Sequence, residues 1–179
     1  MTKVLYSATM SLDGFIAGPG GDMSWLTEHV GGPNPLADDL LDRIGALLVG
    51  ARSFHGDDPN RGTDKEGAFG GAWKGPQFVL THRPPADPVP GVTFVDDLER
   101  AVTAARAAAG DRYVNVIGAN VAAQCLAAGL LDEILVFVAP VLLGDGVRLF
   151  DHPGGTRVRL DPVTVAAEPV PAFWMSVRR

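Results

Sequence analysis

Short apolar runs alternate with helix-forming segments along most of this chain of 179 residues. The predicted strands cover residues 4–10, 46–49, 77–80, 92–95, 113–117 and 134–138, and the predicted helices cover residues 35–44, 96–109 and 121–128. Because strands that alternate with helices form a parallel sheet covered on both faces, we predict an α/β fold with three layers, αβα. Residues 158–167 and 172–177 are predicted as a closing antiparallel pair, which makes the sheet mixed but mostly parallel.

Residues that commonly cap helices mark where several of these segments begin. Asn34 precedes a proline, whose fixed φ suits the first turn of a helix. Asp96 is followed three residues later by a glutamate, the spacing of a capping box. Ser24 is predicted to cap a short helix over residues 23–29. Residues 55–75 are polar and rich in glycine, and they are predicted as a loop.

Composition excludes several classes of protein. A net charge of −6 disfavours nucleic acid as a partner, because phosphate binding needs a basic surface. No apolar run approaches the roughly 20 residues of a membrane helix, and the first ten residues lack the apolar core of a signal peptide. The single cysteine, Cys125, allows no intrachain disulfide, which fits a reducing compartment. We therefore expect one soluble, cytoplasmic domain over residues 1–179 that has no contact with membranes.

The motifs of several common chemistries are absent from the sequence. The four histidines show no zinc-ligand spacing, so no metal site is predicted. A G-x-S-x-G elbow, a Walker A sequence and a complete G-x-G-x-x-G motif are also missing. Cys125 lies among alanines and a leucine in a predicted helix, which is typical of an inert thiol in the core.

Three junctions after predicted strands carry residues suited to binding an anion. They are Gly50, Ala51, Arg52 and Ser53 after the second strand, Thr81, His82 and Arg83 after the third, and Gly118, Ala119 and Asn120 after the fifth. In a parallel sheet, ligands bind beyond the carboxyl ends of strands, where helix N-termini offer free N–H groups. Together the junctions could hold an anionic dinucleotide, and two arginines favour the 2′-phosphate of NADPH. Each junction taken alone is also consistent with an ordinary turn.

Asp13 is the carboxylate most open to a chemical role, since it follows the first strand and precedes a glycine-rich loop. It could supply a proton or anchor a substrate, and as a proton donor near neutral pH it would need a raised pKa. The alternative is a turn aspartate that bonds to nearby backbone. Asp22 suits a loop cap or a solvated charge. Trp25 and Phe54 are candidates for substrate contact, although Trp25 also suits a place in the core.

Five segments in order resemble the dihydrofolate-reductase-like family, in particular the branch that contains the reductase domain of bacterial riboflavin biosynthesis. They are residues 11–17 (SLDGFIA), 49–54 (VGARSF), 79–83 (VLTHR), 116–120 (VIGAN) and 129–134 (GLLDEI), the last continued by residues 140–150. The resemblance implies a dihydrofolate-reductase-like fold, NADPH as cofactor, and often a homodimer. It also implies hydride transfer to a small heterocycle or carbonyl compound.

The same resemblance implies positions around the cofactor. Ala17 and the Asp13 loop would lie near the nicotinamide, and Arg52, His82 and Arg83 would surround the 2′-phosphate. The pyrophosphate would be lined by Gly118, Ala119, Asn120, Val121 and Ala122. Relatives commonly have adjacent glycines where this chain has Ala119 and Asn120, and some have a cis peptide there. The turn is therefore either trans in this chain or strained.

We accordingly predict an NADPH-dependent reductase that acts on a small pteridine- or pyrimidine-like heterocycle or on a carbonyl compound. An alternative is the riboflavin-pathway reductase of 5-amino-6-(5-phosphoribosylamino)uracil. This alternative ranks lower because the sequence offers no spare basic cluster for the substrate phosphate and no deaminase domain. True dihydrofolate reductase is disfavoured by the segments around Asp132 and Gly144. A non-catalytic dinucleotide- or small-molecule-binding protein and a flavin-binding protein also remain open.

Overall fold

A mixed sheet of eight strands forms the centre of the computed structural model, which describes residues 1–29, 32–56 and 58–178. The strand order across the sheet is β5-β4-β3-β6-β1-β7-β10-β9. Its strands are β1 (Val4–Ser11), β3 (Ile44–Gly50), β4 (Gln77–Leu80), β5 (Val92–Val95), β6 (Tyr113–Ile117), β7 (Glu133–Ala139), β9 (Arg159–Ala166) and β10 (Ala172–Arg178). The six strands from β5 to β7 are parallel, and β10 is antiparallel to β7 and to β9. The predicted mixed sheet is therefore confirmed.

Helices cover both faces of the sheet, as the three-layer prediction requires. The helices are α1 (Pro35–Arg43), α2 (Ala51–His55), α3 (Leu98–Ala109) and α4 (Ala119–Ala127). On one face, α3 and α4 bury alanines and valines against β3, β4 and β6. On the other face, Leu40 of α1 packs with Leu5, Leu47 and Leu135. The central strands β3 and β7 are buried along their whole length because they have neighbours on both faces.

The predicted bounds agree with the observed elements to within two residues, but two of the predicted caps are wrong. The side chain of Asp97, not Asp96, accepts a hydrogen bond from Arg100 N and caps α3. Asp96 instead pairs with the Arg100 guanidinium. Residues Ser24–Glu28 form a 3₁₀ turn without a side-chain cap, and Ser24 N donates to Asp22 Oδ1 at 2.9 Å. Asp22 is thus the loop cap that the sequence suggested.

Two short strands were not predicted from the sequence. They are β2 (Phe15–Ala17) and β8 (Val147–Arg148), which form a separate antiparallel pair. Neither is long enough to show a strand pattern in the sequence, and their pairing joins residues more than a hundred positions apart. Their pairing draws the loop after β1 against the segment after β7.

Candidate functional site

The loop residues predicted to bind an anion lie along one edge of the sheet. Strands β4, β3, β6 and β1 are consecutive neighbours and parallel, so their carboxyl ends meet at the same edge. The turn at Gly50 follows β3, the turn at Gly118 follows β6, and Thr81 follows β4. The structure therefore brings the three predicted junctions side by side, with the Asp13 loop next to them.

The turns at Gly50 and Gly118 pack directly against each other. A Cβ added to Gly118 would lie 2.6 Å from Ser53 Oγ, and one added to Gly50 would lie 3.2 Å from Val121 Cγ2. Gly118 also has φ +113, a backbone conformation that residues other than glycine rarely adopt. Among the described peptide bonds only Glu168–Pro169 is cis, so the Gly118–Ala119 peptide is trans.

Both turns lead into helices whose first N–H groups are not capped by a side chain. Gly50 precedes α2 and Gly118 precedes α4, and neither position has a side-chain cap. The resulting N–H groups and the positive ends of the helix dipoles point toward the same edge of the sheet, an arrangement that favours an anion. The side chain of Ala122, which was predicted to line the pyrophosphate, is fully buried, and its N–H donates to Gly118 O. Val121 is 2% exposed, so only its backbone could face a ligand.

Exposed basic side chains stand around these turns. Arg52, His82 and Arg83 are all exposed, and none of them forms an ion pair with a carboxylate of the described chain. The loop that carries two of them is ordered by Thr81, whose hydroxyl accepts a hydrogen bond from Arg83 N at 3.1 Å. Cations without a protein partner remain available to an anionic ligand.

Asp13 binds a segment that follows β7. Its carboxylate accepts hydrogen bonds from Ser11 Oγ at 2.5 Å, from Leu143 N at 3.1 Å and from Gly144 N at 2.7 Å. The hydroxyl of Ser11, followed by the N–H groups of Gly144 and Leu143, lowers the pKa of Asp13 below its ordinary value. This lowered pKa argues against the proton-supplying role, which needed a raised pKa. Asp13 stays ionised near neutral pH and holds two loops together.

The hydrogen bonds of Ser11 were not predicted from the sequence. Ser11 is fully buried, and its hydroxyl both donates to Asp13 and accepts from Phe15 N at 3.0 Å. The same region holds Ala17, which is 6% exposed and pairs with Val147. A Cβ at Gly146 would lie 2.0 Å from Ala17 O, so this backbone approach requires glycine. The loop after β1 is thus fastened by hydrogen bonds and by close packing.

The two aromatic candidates for substrate contact have different neighbours. Phe54 on α2 packs edge-on against Phe94 of β5, with ring centroids 5.5 Å apart. That contact is on the β5 side of the sheet, whereas Asp13 follows β1. Trp25 is half-buried in the 3₁₀ turn and lies 6.1 Å from the His29 ring. Its indole Nε1 is buried without a hydrogen-bond partner among the described residues.

The central strand β1 is open along its carboxyl half, which the sequence analysis also missed. Pairing between β1 and β6 ends at Tyr6 and Val116, whereas pairing between β1 and β7 continues to Ser11. The β6-facing backbone groups of residues 7–10 therefore lack a ladder partner, and these four residues are half-buried. The only sequence signal was the alternation of the hydroxyl side chains Ser7, Thr9 and Ser11 within an apolar run. The gap lies between the Gly118 turn and the Asp13 loop.

The described part of the chain was also searched for a metal site, a reactive thiol and a membrane helix. Within residues 1–29, 32–56 and 58–178, no three side chains of the His, Cys, Asp or Glu type are grouped so that they could hold a metal ion. Cys125 is fully buried, and burial raises the pKa of its thiol to about 12, in line with the predicted inert thiol. None of the described helices has the length and apolar character needed to cross a membrane.

A protein-family model described as the RibD C-terminal domain matches residues 2–169. Among curated proteins, the chain is 28% identical to YwjB of Bacillus subtilis over 165 residues, which cover 88% of this chain and 87% of YwjB. It is 25% identical to YyaP of the same organism over 160 residues, covering 83% of this chain and 80% of YyaP. Both relatives are described as uncharacterized.

Solved structures share the fold over almost the whole chain. A protein of Shewanella sp. PV-4, described provisionally as a riboflavin biosynthesis protein, has a TM-score of 0.75 at 22% identity. The match covers 99% of this chain and 100% of that chain. The riboflavin biosynthesis reductase Rib7 of Saccharomyces cerevisiae has a TM-score of 0.65 at 17% identity, covering 99% of this chain and 90% of Rib7. At these identities the likeness is one of fold, and it confirms the predicted dihydrofolate-reductase-like architecture.

Proposed function

The chain belongs to the RibD C-terminal domain family, and on that premise we propose that it is an oxidoreductase that uses NADPH to reduce a small heterocyclic compound. The substrate class we favour is a pteridine- or pyrimidine-like ring, with a carbonyl compound as the wider possibility. When bound, NADPH would supply the hydride, and the protein would orient its ring against the substrate.

The observation that carries this proposal is the contact between the two glycine turns. Gly50 and Gly118 bring two helix N-termini together at neighbouring strand ends, and we call the surface between the two turns the cradle. Ser53 packs so closely on Gly118 that a Cβ added to Gly118 would lie 2.6 Å from Ser53 Oγ. A pyrophosphate carries two negative groups and fits a pair of adjacent N–H donors. We assign the N–H groups of Ala51, Ser53 and Asn120 to this role, together with their neighbours in the same turns.

The charges around the cradle favour the phosphorylated form of the dinucleotide. Arg52 and Arg83 are exposed and form no ion pair within the described chain, and His82 directly precedes Arg83 in the sequence. A 2′-phosphate would give these side chains a doubly charged partner. NADH has a hydroxyl at that position and offers them no charge.

The gap between β1 and β6 supports a place for the nicotinamide. Its unpaired backbone groups at residues 7–10 could accept and donate hydrogen bonds to a carboxamide. Asp13 would act here as a positioning residue, because its ionised carboxylate holds Leu143 and Gly144 beside the gap. The proton that completes the reduction would come from a donor other than Asp13, whose pKa is lowered.

A second candidate substrate is the phosphorylated aminopyrimidine of riboflavin synthesis. One observation favours it: Arg148 is exposed beside the Asp13 loop, with its guanidinium 4.9 Å from the Phe15 ring centroid. This arginine lies away from the residues assigned to NADPH and could take a substrate phosphate. Replacing it in Arg148→Ala should raise KM for a phosphorylated substrate and leave KM unchanged for a neutral one.

The first experiment is a calorimetric titration of the protein with NADPH and NADH. We expect Arg52→Ala to weaken NADPH binding about tenfold, which corresponds to about 1.4 kcal/mol, and to change NADH binding little. Arg112→Ala is the matched control, because Arg112 is an exposed arginine at the opposite end of β6. If the wild-type protein binds neither dinucleotide, or if both variants lose affinity equally, the assigned cofactor site is wrong.

Turnover is tested separately by following the loss of reduced nicotinamide with a panel of pteridines, aminopyrimidines and small carbonyl compounds. Consumption of NADPH with one class identifies the substrate type. Tight NADPH binding without turnover on any member of the panel would favour the non-catalytic binding protein. A flavin that copurifies with the protein would instead favour the flavin-binding alternative.

A further inference from the structure

Asn115 is a fully buried asparagine near the centre of the sheet. It lies on β6, and the strand register places it beside Leu5 of β1 and Leu47 of β3. Both polar atoms of its amide, Nδ2 and Oδ1, are buried without a hydrogen-bond partner among the described residues. Because an unpaired donor or acceptor in the core costs free energy, such a group in a folded protein needs an explanation.

The side chains that surround Asn115 on this face of the sheet do not compensate for its burial. Leu5 and Leu47 belong to the apolar cluster that packs under α1. Tyr113 lies two residues before Asn115 on the same strand, and its hydroxyl donates to Glu133 Oε2 at 3.0 Å. Within the described chain, the amide of Asn115 therefore has apolar neighbours and one polar neighbour that is already engaged.

Ser7 is the polar side chain of the adjacent strand that comes closest to Asn115 in register. Since side chains alternate along a strand, Ser7 is on the same face of β1 as Leu5, which pairs with Asn115. Strands about 4.8 Å apart and a step of about 6.6 Å for two residues separate the two Cα atoms by about 8 Å. Ser7 is half-buried, and its hydroxyl has no hydrogen bond within the described chain. One water molecule fits between the two side chains and would bond to both.

Ser7 is also the first residue of the open half of β1. Pairing between β1 and β6 ends at Tyr6 and Val116, and the gap beyond that pair is the place proposed above for the nicotinamide. The hydroxyl of Ser7 thus stands at the closed end of the gap, on the side of the sheet that α1 covers. Asn115 comes one residue before the last pair, so it lies behind Ser7 and not in the gap.

We propose that Asn115 is a positioning residue for the reduction and that Ser7 is the residue that touches the substrate, an inference that rests on the proposed function. Through one bridging water, the amide of Asn115 fixes the direction of the Ser7 O–H. The oriented hydroxyl donates a hydrogen bond to the ring nitrogen or oxygen that becomes more negative as the hydride reaches the neighbouring carbon. A donor that is oriented in advance stabilises this charge without reorganising during the reaction. Ser7 keeps its proton, and the proton that completes the reduction comes from solvent.

The first test compares stability with turnover in Asn115→Leu. Leucine has a similar volume and removes both polar atoms, so the midpoint of urea unfolding should stay the same or rise. With the panel compound that the wild-type protein reduces, kcat should fall about tenfold, while NADPH affinity and KM change little. A purely structural asparagine would give the reverse, a lower midpoint with an unchanged kcat, and that result overturns the proposal.

A double-mutant cycle tests whether Asn115 acts through Ser7. Ser7→Ala should lower kcat by the same factor as Asn115→Leu, and the double variant should be no slower than Ser7→Ala alone. Ser7→Thr keeps the hydroxyl and should keep most of the activity. Ser176→Ala is the matched control, because Ser176 is a half-buried serine on β10, and it should have the kcat of the wild-type protein. Losses that multiply in the double variant overturn the proposal.

A second measurement needs no substrate. Asn115 is one of four asparagines in the chain, so isotopically labelled asparagine gives few side-chain signals in an NMR spectrum, and that of Asn115 is assigned through its backbone. We expect its NH₂ protons to contact a long-lived water, and its signal to shift in Ser7→Ala but not in Ser176→Ala. Absence of the water contact, or a signal that Ser7→Ala leaves unchanged, overturns the pairing even if Asn115→Leu fails to fold.

The proposed function and this inference fail in different ways. If the wild-type protein binds no dinucleotide or reduces no compound of the panel, the proposed function fails, and the role of Asn115 in it fails too. If the wild-type protein binds NADPH and turns over a substrate but Asn115→Leu does so equally fast, only the role of Asn115 is wrong.

Discussion

Gly118 is the position where one added methyl group should separate the two turns of the site. In Gly118→Ala the new Cβ would lie 2.6 Å from Ser53 Oγ, and the backbone would have to keep φ +113. Holding a residue other than glycine in such a sparsely populated region costs about 1–3 kcal/mol. Rotation of Ser53 away from the Cβ relieves only the contact. We expect Gly118→Ala to lower the free energy of unfolding by about 3 kcal/mol in total.

The matched control is Gly129→Ala, because Gly129 follows the other end of α4. It has φ +68, and a Cβ there would meet nothing within 4 Å. Gly129→Ala has the conformational cost of a positive φ without a steric overlap, and we expect it to lower the free energy of unfolding by about 1 kcal/mol. Adding Ser53→Ala to Gly118→Ala removes the overlapping oxygen, while the Ser53 Cβ at 3.6 Å is an ordinary contact. The double variant should recover about 1 kcal/mol.

Urea unfolding supplies the stabilities, and titration with NADPH supplies the functional measurement. We expect Gly118→Ala to weaken NADPH binding at least about tenfold, because the two donor turns move apart, and Gly129→Ala to leave it unchanged. Equal losses of stability in the two glycine variants would refute the steric part of this reasoning. Unchanged NADPH affinity in Gly118→Ala would refute the assignment of the cradle to the pyrophosphate.

Two further predictions concern buried or bridging carboxylates. Asp13→Asn should lower the melting temperature at neutral pH and should lower turnover more than NADPH affinity. The folded pKa of Asp13 lies below its ordinary value of 3.8. The stability difference between the wild-type protein and Asp13→Asn should therefore be complete above pH 3.8 and should fade as the pH falls through the lowered pKa, which melting curves at stepped pH would measure. Glu133 is 2% exposed and accepts hydrogen bonds from Lys3 Nζ at 2.6 Å, Tyr113 OH at 3.0 Å and Trp174 Nε1 at 2.7 Å. Glu133→Gln should therefore lower the free energy of unfolding in urea by about 1–3 kcal/mol. A decrease no larger than that of Lys3→Met would show that only the ion pair with Lys3 contributes.

Much of the fold could be predicted because its signals are local. The predicted bounds of β4, β5 and β6 agree with the structure at both ends. Each is a short segment that contains β-branched and aromatic residues and lies between polar or glycine-rich segments. The cap of α3 was assigned one residue too early because Asp96 and Asp97 are adjacent acids that a local pattern cannot rank. Strands β2 and β8 were missed because their pairing is entirely long-range.

The site was predictable to the extent that it lies at the ends of strands. Parallel strands have their carboxyl ends at the same edge of the sheet, so the junctions at Gly50, Thr81 and Gly118 were expected at one edge. The ionisation of Asp13 was not predictable, since Leu143 and Gly144 are about 130 positions away in the chain. The buried place of Ala122 was also not evident, because a helix pattern of small residues does not tell which of them face a ligand.

The sequence by itself determined the class of fold, the position of the glycine turns and the family to which the chain is similar. These follow from periodicity, from backbone freedom at glycine and from the order of motifs, all of which are properties of neighbouring residues. Tertiary structure alone decided the lowered pKa of Asp13, the gap between β1 and β6, and the burial of Asn115. Each of these depends on which distant segment reaches a group and which does not, since hydrogen bonding and burial arise from contacts that local sequence does not encode.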